Sequence, residues 1–284
     1  MNAAMSNRKK ILLSSFLYLL YVVVAFAFIA PIIYMVVSSL KTDTQIVKDM
    51  STFNAFLPTG KLTLANFADV IHKVKFFHFL KNSTIIAIIS VSLSTIINAM
   101  IGYALGLLNF RGKKLLISMI IAFSIIPTEA VIINRFMVVN QLNLINTYLG
   151  LALPNVGYAM YIFLYYNHFK GMPRELMEAA NIDGLKYGGI FWRIMLPLSK
   201  PICATVIIMS FIRSWGDLLW PTLVTRDESF RTLPMALRAL SSDVYVFWGQ
   251  IFAFATLMTL PIFLIFLLFQ KQFVSSLTSS GIKG

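Results

Sequence analysis

Residues Glu175–Pro201 read ELMEAANIDGLKYGGIFWRIMLPLSKP, a charged, helix-forming stretch in a chain that is otherwise oily. RELMEAANI consists of good helix formers, and its acids fall in the first turn after Pro173, where they complement the helix dipole. Asp183-Gly184 predicts a C-terminal turn, since glycine tolerates positive φ. LKYGGIFWRIML then resumes apolar residues at helical spacing until Pro197 stops it. The prediction is two short helices outside the hydrocarbon. They either dock to another protein, to which Ala179 and Ala180 present a flat face, or rest on lipid headgroups.

Outside this stretch the chain belongs to a membrane. Its 284 residues are 58% hydrophobic and 12% charged, with a mean hydropathy of +0.78, whereas soluble domains average about 25% charged. The net charge of +13 does not mark a nucleic-acid binder. Its basic residues form short clusters between apolar runs, not one face of a soluble domain. A helix needs about 20 apolar residues to cross the hydrocarbon. Six segments meet this: 11–40, 83–108, 115–139, 151–169, 202–224 and 249–269. The first follows NRKK, but its apolar run far exceeds the roughly 7–15 residues of a signal core, so it reads as an uncleaved span. The fold class expected is all-α integral membrane, one domain over 1–284 with six transmembrane helices. Basic residues cluster at Arg8–Lys10, Arg111–Lys114, Lys170–Lys200 and Lys271–Lys283. The positive-inside rule then puts both termini and the 170–200 loop in the cytoplasm. The outer loops are 41–81, 140–150 and 225–248.

Chemistry-bearing groups are sparse. Cys203 is the one cysteine, and His72, His78 and His168 lack partners at metal-ligand spacing. No catalytic set, metal site or bound cofactor is expected. FRGKK is not a phosphate loop, lacking the first glycine and the hydroxyl residue. Asn82 in NST fits a glycosylation pattern, but it stands at the mouth of a span, where a chance match is the simpler reading.

Arg213 stands out, 12 residues beyond Pro201 and so about 18 Å along a helix. A central arginine is costly in a bilayer and faces water or protein. Either Asp217 neutralises it at i+4, or it lines a pathway and meets an anionic sugar such as a uronate. Arg135, near the outer end of its span, either snorkels or lines the same pathway. Trp215, Trp220, Trp248 and Tyr245 are interface anchors or sugar-stacking platforms.

EAANIDGLKYGGIFWRIMLP resembles the cytoplasmic EAA signature of ABC-importer permeases. Glu178, Ala179, Ala180, Gly184, Ile194, Leu196 and Pro197 match every position. Further stretches resemble the smaller permease of maltose-type sugar importers: FLPTGKLTLANFADVI (56–71), FLKNSTIIAI (79–88), GYALGLLNFRGKK (102–114), LNLINTYLGLALP (142–154), FIRSWGDLLWPTLV (211–224) and RTLPMAL (231–237). The resemblance covers nearly the whole chain. It departs at Leu185, where a small residue is frequent, at Gly216, where asparagine is common, and at Arg135 and Arg213. The resemblance implies a type I ABC importer permease fold in the cytoplasmic membrane of a bacterium or archaeon, importing a sugar or oligosaccharide by alternating access. Implied partners are a second homologous permease, two ATPase subunits that bind the ATP and magnesium, an extracytoplasmic sugar-binding protein, and lipid. Glu178, Ala179, Ala180, Asp183 and Gly184 would couple to the ATPase. Arg135, Arg213, Trp215, Asp217 and Trp220 are pathway candidates. Arg231, Arg238, Asp243 and Tyr245 would meet the binding protein. A secondary transporter would have no reason to keep the EAA spacing, and a membrane enzyme would need clustered catalytic groups. Uptake of amino acids, phosphate or metals remains an alternative within the ABC class.

Overall fold

The computed structural model describes residues 7–242 and 245–281, with side chains from 13 to 271 in that range. In chain order the helices are α1 (Asn7–Ser39), α2 (Asp43–Asp49), α3 (Ala65–His72), α4 (Phe76–Leu107), α5 (Lys113–Ile125), α6 (Ile132–Gln141), α7 (Tyr148–Ala152) and α8 (Ala159–Lys170). They continue as α9 (Glu175–Ile182), α10 (Tyr187–Ile190), α11 (Leu196–Leu198), α12 (Lys200–Trp215), α13 (Leu219–Val224), α14 (Leu233–Ser241) and α15 (Trp248–Gly281). Among the described residues the only β pairing is an isolated bridge, Lys41 to Leu62.

Three helices are long and apolar enough to cross a bilayer unaided: Leu13–Ser39, Phe76–Leu107 and Trp248–Lys271. The other expected spans differ from the sequence reading. The one expected over 115–139 is two helices bent by 98°. Pro127 has no amide to continue the ladder, and it forces Ile126 into extended backbone (ψ 122°). The one expected over 202–224 stops at Trp215, and a second 81° bend separates α12 from the helical segment before it. The one expected over 151–169 keeps only the 12 residues of α8, about 18 Å of helix against a hydrocarbon core of roughly 30 Å.

The chain forms two compact units. The first joins Met1–Phe76 to Ala239–Leu257. Its 41–81 loop is folded. Lys41, 1% exposed, donates to Asp49 Oδ2 at 2.8 Å and to Asn54 O at 2.7 Å. Asn66 Nδ2 donates to Ser39 O and Lys41 O, and Gly249 N donates to Asp43 Oδ1. A buried ammonium is tolerable only with such partners.

The second unit, Phe77–Arg238 with Met258–Gly284, holds two apolar cores. One surrounds Tyr103, Tyr165, Phe169, Ile190 and Phe191. Here α4 and α8 touch backbone to backbone at Gly102 and Gly106. A Cβ on Gly106 would lie 2.7 Å from Phe169 Cβ, and one on Gly102 would collide with Tyr165. Small residues four apart allow this close approach in a membrane helix. The second core gathers Ile86, Val139, Leu151 and Trp220. Asn82, 1% exposed, ties its helix to the outer loop by donating to Ser229 O and Arg231 O and accepting from Tyr148 Oη. That burial leaves its amide no room for a glycan.

Candidate functional site

The Glu175–Pro201 element folds as its residues predict. α9 ends in a Schellman turn: Leu185 N donates to Ala180 O at 2.9 Å and Gly184 N to Asn181 O at 3.0 Å. Gly184 takes φ +79° with nothing near its missing Cβ. The motif calls for an apolar residue just past the glycine. Leu185 supplies it by packing on the core that holds Ala180, which accounts for its departure from the signature. Glu178, Ala179, Ile182 and Asp183 remain exposed. Ala180 does not join them. At 2% exposure it belongs to this chain's own core, so the flat face expected from two alanines is Ala179 alone.

Behind the turn, Tyr103 Oη donates to Tyr187 O. Phe191–Met195 is a π-helical turn in which Leu196 N donates to Phe191 O, one residue further back than in an α-helix. Pro197 can make no such bond. The bend beyond is fastened by Ser199, which donates to Met195 O at 2.6 Å and lies 3.1 Å from His168 Nε2.

A second feature is a cavity of about 140 Å³. Arg135, Asn155, Arg213, Asp217 and Trp220 wall it, and Thr128 and Glu129 reach it from the Pro127 break. Arg135 Nη2 donates to Pro154 O at 2.5 Å and to Asn155 Oδ1 at 2.8 Å, and its guanidinium lies 5.1 Å over the Trp220 ring. Asn155 Nδ2 donates to Asp217 Oδ2 at 3.4 Å, and Asp217 Oδ1 accepts the Trp220 amide at 3.2 Å near the start of α13. Arg213 sits in the last turn of α12, where a cation complements the helix carbonyls. Its guanidinium carbon lies 4.0 Å over the Tyr158 ring, an attractive placement. Asn98 holds the chain beneath, donating to Val156 O and accepting from Tyr158 N. Tyr161 is also within Arg213's reach.

The expected i+4 pairing of Arg213 with Asp217 does not occur. The ion pairs among the described residues are Lys41–Asp49 and Lys73–Asp69. α12 ends at Trp215, with Gly216 as its cap, so Asp217 leaves the helical face that i+4 geometry requires. Arg213 Nη1 is buried without a hydrogen-bond partner.

The structure brings together four of the five pathway candidates. Trp215 is apart: 2% exposed, it stacks on Phe211 and donates to Met258 O. Trp220, also 2% exposed, donates to Gly150 O and is covered by Arg135, so neither indole face is open to a sugar. Arg231 and Arg238 are exposed, as is Tyr245 at 78%. Asp243 lies outside the described residues. The sequence reading missed Glu129, Asn155 and Tyr158. Glu129 carried the same signal as Arg135, an ionisable residue in an apolar run.

A multi-span helical chain whose charged turn lies outside the apolar helices, while a polar cavity lies among them, is a transport permease. The chain belongs to the family of binding-protein-dependent transport system inner membrane components, whose model matches residues 98–279. It is a multi-pass protein of the cell membrane and the permease subunit of an ABC importer. It is 31% identical over 281 residues to the arabinooligosaccharides transport system permease protein AraQ of Halalkalibacterium halodurans, covering 99% of this chain and 100% of the relative. It is 31% identical over 261 residues to the trehalose/maltose transport system permease protein MalG of Thermococcus litoralis, covering 89% and 91%. Its fold is similar, with a TM-score of 0.82, to a chain in the crystal structure of a bacterial ABC transporter involved in the import of the acidic polysaccharide alginate. That match covers 95% of this chain and 100% of the other at 22% identity, and it bears on the fold alone.

Proposed function

We propose that this permease carries a sugar or oligosaccharide into the cytoplasm, paired with a second homologous permease and driven by two ATPase subunits that bind the nucleotide and magnesium. The relatives named above move arabinooligosaccharides and trehalose or maltose, which supports a saccharide cargo. The observation that carries the coupling role is the Schellman turn, which displays Glu178 and Asp183 at the end of a short helix fixed to the core through Ala180. With both termini and the 170–200 loop cytoplasmic, this turn sits in a cleft of the ATPase. Closure of the ATPases tilts the turn, and the helices fused to it pass the motion on as a switch between inward-facing and outward-facing states. On the opposite side, the 225–248 loop, with Arg231, Arg238, Asp243 and Tyr245, receives the sugar-binding protein, and lipid covers the apolar helices.

The test is Glu178→Lys in the complete importer reconstituted in vesicles. Membrane insertion and permease pairing should be retained, while ATP hydrolysis stimulated by loaded binding protein should drop to its unstimulated rate. Stimulation equal to that of the unmodified complex would refute the docking role.

A further inference from the structure

The charged cavity contains two arginines in different situations. Arg135 is committed to Pro154 O, Asn155 Oδ1 and the Trp220 face. Asn155 uses its other end to hold Asp217, whose second oxygen takes the Trp220 amide. Asn155 therefore satisfies one arginine and the nearby carboxylate at once, and keeps that carboxylate off Arg213. Thr128 Oγ1 likewise bonds Glu129. Arg213 is left with an aromatic face beneath it and Nη1 without an acceptor. An aromatic face attracts a cation without accepting its in-plane N–H groups. A guanidinium at membrane depth needs a counter-charge, and its planar fork fits a carboxylate bidentately.

Size narrows the choice. A cavity of about 140 Å³ compares with the roughly 150 Å³ that holds one benzene, so it admits one six-membered ring and not a chain of them.

We propose that this cavity is a subsite for a single acidic sugar ring of the uronate class, with Arg213 as the specificity-determining residue that takes its carboxylate on leaving the Tyr158 face. Arg135 and Asn155 position the walls. This rests on the importer reading above and deepens it: the cargo passing through this permease is an acidic saccharide.

The experiment uses the complete importer, with its partner permease, ATPases and binding protein, in vesicles. Two probes are compared, an oligogalacturonide and the neutral galactooligosaccharide of the same length. The unmodified complex should favour the acidic probe, and Arg213→Gln should cut the acidic-to-neutral uptake ratio at least tenfold. Arg213→Lys, which keeps the charge without the fork, should retain an intermediate ratio. Co-purification of the second permease with each variant separates selectivity from assembly. A ratio unchanged in Arg213→Gln, or a neutral preference in the unmodified complex, overturns the proposal and leaves the importer reading intact. So does loss of the second permease from both variants, which would mean that Arg213 pairs with a group of that subunit. Absence of ATP-dependent uptake of either probe overturns both readings.

Discussion

Gly184 offers a graded test of the coupling turn. Its φ of +79° lies in the left-handed region, and an added Cβ would meet nothing within 4 Å. Strain is therefore the whole intramolecular cost of Gly184→Ala, about 1–2 kcal/mol, or a 5- to 30-fold lower population of the turn at 1.4 kcal/mol per tenfold. Gly184→Asn should cost less, since asparagine visits this region readily. Gly184→Pro fixes φ near −65° and removes the N–H that bonds Asn181 O, a cost of about 3 kcal/mol or more. Stimulated ATP hydrolysis in vesicles should fall in the order Gly, Asn, Ala, Pro, with insertion unchanged throughout. If Asn were as damaging as Pro, the glycine would be needed for close approach by the ATPase, and the argument from backbone conformation would be wrong.

Two further outcomes follow from other parts of the chain. Gly106→Leu should lower thermal stability in detergent by about 1–3 kcal/mol through overpacking against Phe169, whereas Gly157→Ala, with open space around it, should leave the transition unmoved; equal effects would contradict the α4–α8 contact. Asp49 is held below the ordinary aspartate value, first by its hydrogen bond from Lys41, against the opposing effect of burial. A depressed carboxylate adds stability above its unfolded value and loses it as pH falls through the folded one. Segment 43–56 should therefore loosen only below about pH 4, measured as hydrogen exchange corrected for the intrinsic rate, and Asp49→Asn should remove the acid step.

The signals that were legible in the sequence are local ones. Acids at a helix start, Asp-Gly at its end and a proline beyond specify the coupling turn almost residue by residue, because each acts through its own backbone. Hydropathy likewise marked α1, α4 and α15, whose 20-residue runs carry their own signal. Hydropathy averaging hid Pro127: the flanking residues are apolar on both sides, so the run looks continuous while the backbone turns by 98°. The pairing of Arg213 with Asp217 failed for a related reason, since i+4 arithmetic assumes a helix that in fact ends at Trp215. Asn155, 58 residues before Arg213 in the chain, and Asn98, still farther upstream, could not have been assigned from spacing, because their partners meet only through tertiary packing. GxxxG at Gly102–Gly106 was visible and went unread.

The π turn at Phe191–Met195 has a bearing on how insertions and deletions are tolerated. With Leu196 N bonded five residues back, this turn already carries one residue more than an α-helical ladder. Each residue along a helix contributes about 100° of rotation. Deleting one residue here would close the turn into regular α-helix and reorient whatever follows by that angle. The nine residues between Gly184 and Ile194 therefore behave as a fixed gauge. Substitutions within that interval change a surface, but a change in its length would re-aim α12 and carry Arg213 away from Tyr158.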